Sequence, residues 1–312
     1  MAVKLVSPRL LAYRKVWWSP DGEHLAYISG GDADGNVSKN AAGPQQLIVC
    51  NWKTGKEQIV LEDRIGLKLG LEWKDAQTFL YSDIGEDASL NSNLKEEKKA
   101  SPPVLRPNIY VYSLATRKSQ ILVKDGQKPS ISPNKQWIAF YGSEDPKEPF
   151  ALNQDWWLRP GGAALSLANE LGGERKPLSV MSGLYPFIMW SHDSRFLVSL
   201  SQVKGSPHAS AQIKKWNIDT GEQRLISTIT ANDFEEVPRK PTYPQIYPLG
   251  ISKDNKKLFV MKQEFRGKTG SWLNEISYLQ SLDLATGGIQ EISVSETPFG
   301  LDWLDLSDDI PD

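Results

Sequence analysis

The chain has 312 residues, 39% of them hydrophobic and 24% charged, a composition that can bury a core and excludes a disordered chain. Thirty-six basic against 38 acidic residues leave a formal charge of -2, which excludes a general field for nucleic acid or an anionic membrane. One cysteine, Cys50, excludes an internal disulfide, and no apolar window reaches the roughly 18 residues that a membrane span needs.

In chain order, the first stretch "MAVKLVSPRLLAYRKVWW" lacks the uninterrupted apolar segment of a signal peptide. That reads as a soluble, cytoplasmic chain, or a periplasmic or secreted one if a leader has been trimmed. "VWWSPDGEHLAYIS", from Val16, then gives apolar segment, polar turn and apolar segment, which predicts a β-hairpin. The same pattern returns in "GLEWKDAQTFLYSD" (Gly70), "KPSISPNKQWIAFY" (Lys128), "FIMWSHDSRFLVSL" (Phe187) and "PLGISKDNKKLFVM" (Pro248).

A second hairpin follows each of these: "LIVCNWKTGKEQIVL", "IYVYSLATRKSQILV", "LSLANELGGERKPLS", "IKKWNIDTGEQRLIS" and "LQSLDLATGGIQEIS". Their turns centre on Thr54-Gly55, Thr116-Arg117, Gly172-Gly173, Thr220-Gly221 and Thr286-Gly287. Arg117 stands where a left-handed glycine is expected, which predicts a different turn type there. Cys50 lies in the apolar run "LIVCNW" and reads as a packing residue.

Two hairpins per unit make a four-stranded antiparallel sheet. The Trp18 position recurs at Trp73, Ile131, Trp190 and Ile251, at a step of about 55 to 61 residues. Four strands per unit at that step, without helices, predict an all-β β-propeller. The predicted blades cover 14–63, 67–126, 127–183, 184–229 and 245–296 of one domain, 1–312. The column through Trp18 is expected in the core, with Trp17 on the opposite face of its blade.

The "WSPDG" turn, the following "LAYIS" and the strand ending in Thr-Gly resemble the TolB-like, WD40-like propeller repeat. The resemblance covers nearly the whole chain and implies a fold rather than an activity. It groups the chain with interaction proteins and with non-catalytic propellers of prolyl oligopeptidase-type enzymes. The chain has no room for the separate N-terminal domain of TolB, and no GxSxG nucleophile elbow occurs.

At the ends, 298–306 reads as one more first strand, with Trp303 in the Trp18 column, and 2–7 reads as a fourth strand. Together they predict a partial sixth blade, open to completion by a partner strand. The alternative is a closed five-bladed ring with the tails packed outside it.

The connections between second and third strands, roughly 30–46, 83–108, 142–164, 203–212 and 265–277, are long and irregular, and so is 228–245. Binding residues on rigid scaffolds tend to lie in such loops. Candidates are Trp156, Trp157 and Arg159 in "NQDWWLRPGG", Arg106 in "VLRPN", and Arg266, Lys268 and Trp272 in "EFRGKTGSW". Aromatic and arginine clusters anchor protein interfaces, and aromatic faces stack on sugars. The competing reading of Trp156 and Trp157 is that they fold back to plug a channel or cap a blade.

"GGDADGNVSKN" lacks the oxygen spacing and distant Glu of a calcium loop, and His24, His192 and His208 are too scattered for a metal triad. No metal and no cofactor is expected. The expected function is a non-catalytic binding scaffold for a protein or peptide, with a glycan as a further candidate, and neither nucleic acid nor membrane insertion. The alternative is a carbohydrate-active or other hydrolytic propeller with channel carboxylates, for which Glu72 and Asp302 are the conceivable pair.

Overall fold

The computed structural model describes residues 16–29, 45–64, 71–83, 107–143, 163–173, 176–180, 184–202, 209–231, 246–265 and 275–295. Among these residues, twenty strands form five sheets of four, each an antiparallel meander in sequence order. The first sheet holds β1 (Val16–Trp18), β2 (His24–Ser29), β3 (Gln45–Asn51) and β4 (Lys56–Arg64). The second holds β5 (Leu71–Trp73), β6 (Thr78–Asp83), β7 (Asn108–Ser113) and β8 (Lys118–Val123). The third holds β9 (Gly126–Ile131), β10 (Trp137–Ser143), β11 (Ala163–Asn169) and β12 (Lys176–Val180).

The fourth holds β13 (Leu184–Trp190), β14 (Phe196–Gln202), β15 (Ala209–Asn217) and β16 (Gln223–Ala231). The fifth holds β17 (Ile246–Ile251), β18 (Lys257–Phe265), β19 (Glu275–Asp283) and β20 (Ile289–Ser295). The first two sheets and most of the third lie in one compact unit, and the fourth and fifth lie in a second. The segments proposed for a partial sixth blade, 2–7 and 298–306, lie outside the described residues.

Four of the five first hairpins close by one recurrent circuit, and the second sheet's, with Lys74 in place of the serine, does not. In the first sheet the Ser19 amide donates to the His24 carbonyl, and the Gly22 amide to the Ser19 carbonyl, both at 2.9 Å. The Ser19 hydroxyl donates to Asp21 Oδ1 and accepts from the His24 amide, and Asp21 Oδ1 also accepts from the Glu23 amide. Ser132 with Asn134 and Ser252 with Asp254 rebuild this circuit, and Ser191 with Asp193 its backbone and amide parts. The donors that a tight turn exposes are therefore satisfied locally.

Hydrogen bonds from the Ser19 and Ser252 hydroxyls come first in holding Asp21 and Asp254 below the usual carboxylate range. The fourth turn residue is left-handed in each case: Gly22, Lys135, Ser194 and Asn255 have φ between 61° and 66°.

The second hairpins use another circuit. Asn51, Asn169, Asn217 and Asp283 cap the amides that follow them with Oδ1. The left-handed residues Gly55, Gly172, Gly221 and Gly287 then donate back to the capping residue's carbonyl. Arg117 does the same: its φ is 56° and its amide donates to the Ser113 carbonyl at 2.8 Å. The expected change of turn type does not occur, because the hydrogen bonds hold a non-glycine residue left-handed at a steric cost of about 1 kcal/mol.

A β-bulge in each of β4, β8, β16 and β20 skips a residue of the ladder, Val60, Leu122, Ile226 and Ile292, and β4 has a second irregularity between Leu61 and Arg64. Two of these meet a glycine of the next sheet. A Cβ on Gly172 would overlap the Leu122 carbonyl oxygen, and a Cβ on Gly287 the Ile226 carbonyl oxygen. The core fills in around these contacts. Ala26, Val49, Trp73, Phe79 and Tyr112 join the first two sheets, Leu80, Ile109, Ile138 and Phe140 the second and third, and Val198, Ile213, Ile251 and Val260 the fourth and fifth.

The core column holds at Trp73, Ile131 and Ile251, is half-buried at Trp190 and fails at Trp18. Trp73 is 8% exposed and Trp18 54%. Strand alternation turns Trp18 away from the second sheet, whereas Trp17 packs against the first–second sheet cluster and its carbonyl accepts the Trp73 indole N–H at 2.9 Å. Cys50 is buried with Tyr27 and Ile48, and burial, then the Glu57 charge, pushes its thiol up.

The bulge contacts predict unequal glycine substitutions. Gly172→Ala and Gly287→Ala each lose about 2–4 kcal/mol in denaturant unfolding, from backbone strain plus collision with a carbonyl. Gly22→Ala, whose added Cβ meets nothing within 4 Å, loses only about 1 kcal/mol. Equal losses at the three positions would contradict the contact.

Candidate functional site

In each sheet both hairpin turns lie at one end, and the connection from second to third strand lies at the other. Those connections are 30–44, 84–107, 144–162, 203–208 and 266–274. Strand ends near them carry most of the unusual chemistry among the described residues.

In the first unit, the short link from β8 to β9 is drawn tight. Gly126 donates to the Pro107 carbonyl at 2.9 Å, and the Asp125 amide to Asn108 Oδ1 at 3.1 Å. A Cβ on Gly126 would come within 3.0 Å of the Phe140 and Ile109 side chains, so a larger residue there would have to displace them. Asp125 and Lys128 are both left-handed, with φ of 53° and 51°, and the Lys128 amide donates to the buried Ser82 hydroxyl at 3.0 Å. Non-glycine residues held this way mark backbone that surrounding contacts over-determine.

Asp83 is buried at the end of β6, beside Ser82. Tyr141, across the ladder from Gln127, is fully buried, and burial pushes its hydroxyl well above the usual tyrosine range. Among the described residues its hydroxyl has no hydrogen-bond partner.

In the second unit, β18 ends in a buried ion pair. Lys262 Nζ lies 2.8 Å from Glu264 Oε1, with both side chains largely out of solvent. Lys262 also sits 4.3 Å from the centroid of the Tyr278 ring, directly across the ladder. Beside Tyr278 on the same face of β19, Gln280 buries an Oε1 that has no partner among the described residues. Charges out of water persist only when paired, and here a carboxylate and an aromatic face share one ammonium.

The sequence reading proposed none of these residues. A signal was available: in "KLFVMKQEF", Lys262 and Glu264 share strand parity with the core residues Leu258 and Val260. Tyr141 and Asp83 gave no such signal, because strand tyrosines and strand-end aspartates are common on solvated faces.

The residues that were proposed, Arg106, Trp156, Trp157, Arg159, Arg266, Lys268 and Trp272, lie outside the described residues. So do Asp32, Asp34, Asn36, His208 and Asp302. Glu72 is half-buried in β5. His24 opens β2, and His192 lies in the turn after β13, where its Nε2–H donates to the Ile251 carbonyl at 2.9 Å. Among the described residues no group of three His, Cys, Asp or Glu could hold a metal ion, and no helix is long and apolar enough to cross a membrane.

No family model matches the chain, and no curated protein matches it in sequence. Solved structures do match. A putative TolB from Agrobacterium tumefaciens is similar at 14% identity over 89% of this chain and 79% of its own, with a TM-score of 0.51. An oligogalacturonate lyase in complex with manganese is similar at 16% identity over 94% of this chain and 68% of its own, with a TM-score of 0.52. TolB from Acinetobacter baumannii shares 15% identity over 90% of this chain, with a TM-score of 0.49, and the chain spans 55% of that protein's length. The fold is that of the TolB-like β-propellers, built of four-stranded blades.

The orphaned hydroxyl at Tyr141 makes a prediction. Tyr141→Phe removes a buried donor with no partner, so it leaves stability unchanged or raises it by about 1 kcal/mol in urea unfolding. A loss of 1 kcal/mol or more would mean that the hydroxyl is satisfied.

Proposed function

We propose that this propeller is a non-catalytic scaffold that binds a protein or peptide through the long connections at one end of its blades. One observation carries the reading: the two ends of each sheet are built differently. At one end, hairpin turns close on themselves through Ser, Asn and Asp side chains and repeat from sheet to sheet. At the other, connections of unequal length and unrelated sequence join the strands, and one strand end beside them carries a buried ion pair. A repeated end holds the architecture, and an unrepeated one is free to specify a ligand.

In this reading the candidate contact residues are Trp156, Trp157 and Arg159 on one connection, Arg106 on a second, and Arg266, Lys268 and Trp272 on a third. Aromatic rings and guanidinium groups supply the largest contact energy per side chain in protein interfaces. A partner strand that completes a sixth blade is the second route within the same reading.

Photo-crosslinking tests it. A benzoylphenylalanine at position 106, 156, 157 or 272 of the full chain, in its native cells, is expected to give a discrete protein adduct. The same group at positions 136 and 256, in exposed first-hairpin turns, is expected to give none. Adducts at the turns alone, or turnover of a polysaccharide by the purified chain, would overturn the scaffold reading.

A further inference from the structure

Trp18 breaks the burial pattern of its column, and it does so beside a second exposed tryptophan. Trp52, in the β3–β4 turn, is 36% exposed. The two ring centroids lie 6.2 Å apart with the planes at 77°, so the indoles form the walls of a corner. Neighbouring groups hold that corner open. Trp52 Nε1–H donates to the Gly22 carbonyl at 2.5 Å, and Lys53 Nζ reaches Glu23 Oε1 at 3.2 Å, tying the two turns together.

These bonds limit what can bind. The Trp52 donor is spent inside the protein, and Lys53, whose Nζ also lies 6.0 Å from the Trp52 ring centroid, is paired with Glu23, so what the walls leave open is ring surface without a hydrogen-bonding programme. Asp21 stands on the same turn. Its carboxylate accepts from the Ser19 hydroxyl and the Glu23 amide, which hold it ionised, and it forms no ion pair with Lys or Arg among the described residues. That turn therefore carries one carboxylate without a Lys or Arg partner among the described residues.

We propose that the Trp18–Trp52 corner, with Asp21 on its rim, docks a proline-bearing segment of a partner protein that has a basic residue beside the proline. A pyrrolidine ring is compact and apolar, and it packs between perpendicular aromatic faces without needing a donor from the site. The basic neighbour answers Asp21. A sugar is a poorer fit, because glycan platforms need flat, open ring faces flanked by free polar groups. A second copy of the chain is poorer still, since two indoles bury on the order of a few hundred Å² against the roughly 1,200 Å² of a stable interface. The corner lies at the repeated-turn end of the first sheet, so the inference goes beyond the long-connection reading and stands or falls separately from it.

The test uses the full chain labelled with 15N at tryptophan. Three ten-residue probes are titrated: a proline-rich peptide with two arginines, its arginine-free version, and a version with alanine for proline. The arginine-containing peptide is expected to shift the Trp18 and Trp52 indole resonances saturably, the arginine-free one roughly three- to tenfold more weakly, and the alanine one not at all. Trp18→Ala and Trp52→Ala, both at exposed positions, each weaken binding roughly tenfold or more. Asp21→Asn keeps the turn, as Asn134 does in the third sheet, and removes the advantage of arginine. Absence of a saturable shift, binding that survives Trp18→Ala, or the same shifts produced by maltoheptaose or by self-association would overturn the proposal.

Discussion

Stacking of these sheets depends on a close approach between backbones. A bulge in the fourth strand turns a carbonyl out of the ladder, and a left-handed glycine in the second hairpin of the next sheet seats against it, as Gly172 does at Leu122 and Gly287 at Ile226. Only a residue without Cβ can close that distance. The side chains of the same bulged residues, Leu122 and Ile226, pack into the adjoining cores. One local irregularity thus fixes both the spacing of neighbouring sheets and the filling between them.

The junction of the first and second sheets is held by other means. Arg117 occupies the glycine position there, and an aromatic row of the second sheet, Trp73, Phe79 and Tyr112, packs against Ala26, Val49 and Trp17 of the first. Two side-chain hydrogen bonds add direction, from Trp73 to the Trp17 carbonyl and from Gln58 to the Tyr112 hydroxyl. Ile292, the bulged residue of the last described strand, is 49% exposed.

The fold was legible because both hairpins are written in short polar codes. Ser-x-Asp or Ser-x-Asn spells the first turn, and Asn or Asp three residues before Thr-Gly spells most of the second, each because those side chains reach the next amides. Burial was less legible. Trp18 and Trp73 share a register position within their sheets, but register does not say whether another sheet covers the face. The Arg117 turn departs from expectation for a related reason: hydrogen bonds accepted by Ser113, not the left-handed residue alone, set the turn type. In the site, the paired charges of Lys262 and Glu264 lay two residues apart in plain sequence, whereas the strained backbone at Asp125 and Lys128 is a tertiary effect with no sequence sign.

Amide hydrogen exchange tests the central contact most directly. The amides of Gly22, Gly172 and Gly287 are all hydrogen-bonded within their own turns, at 2.9 Å. If the bulge contact holds the sheets together, the Gly172 and Gly287 amides exchange as slowly as the core amides of β10 and β18, and Gly22 exchanges faster through local opening. Equally fast exchange at the three glycines would contradict the account.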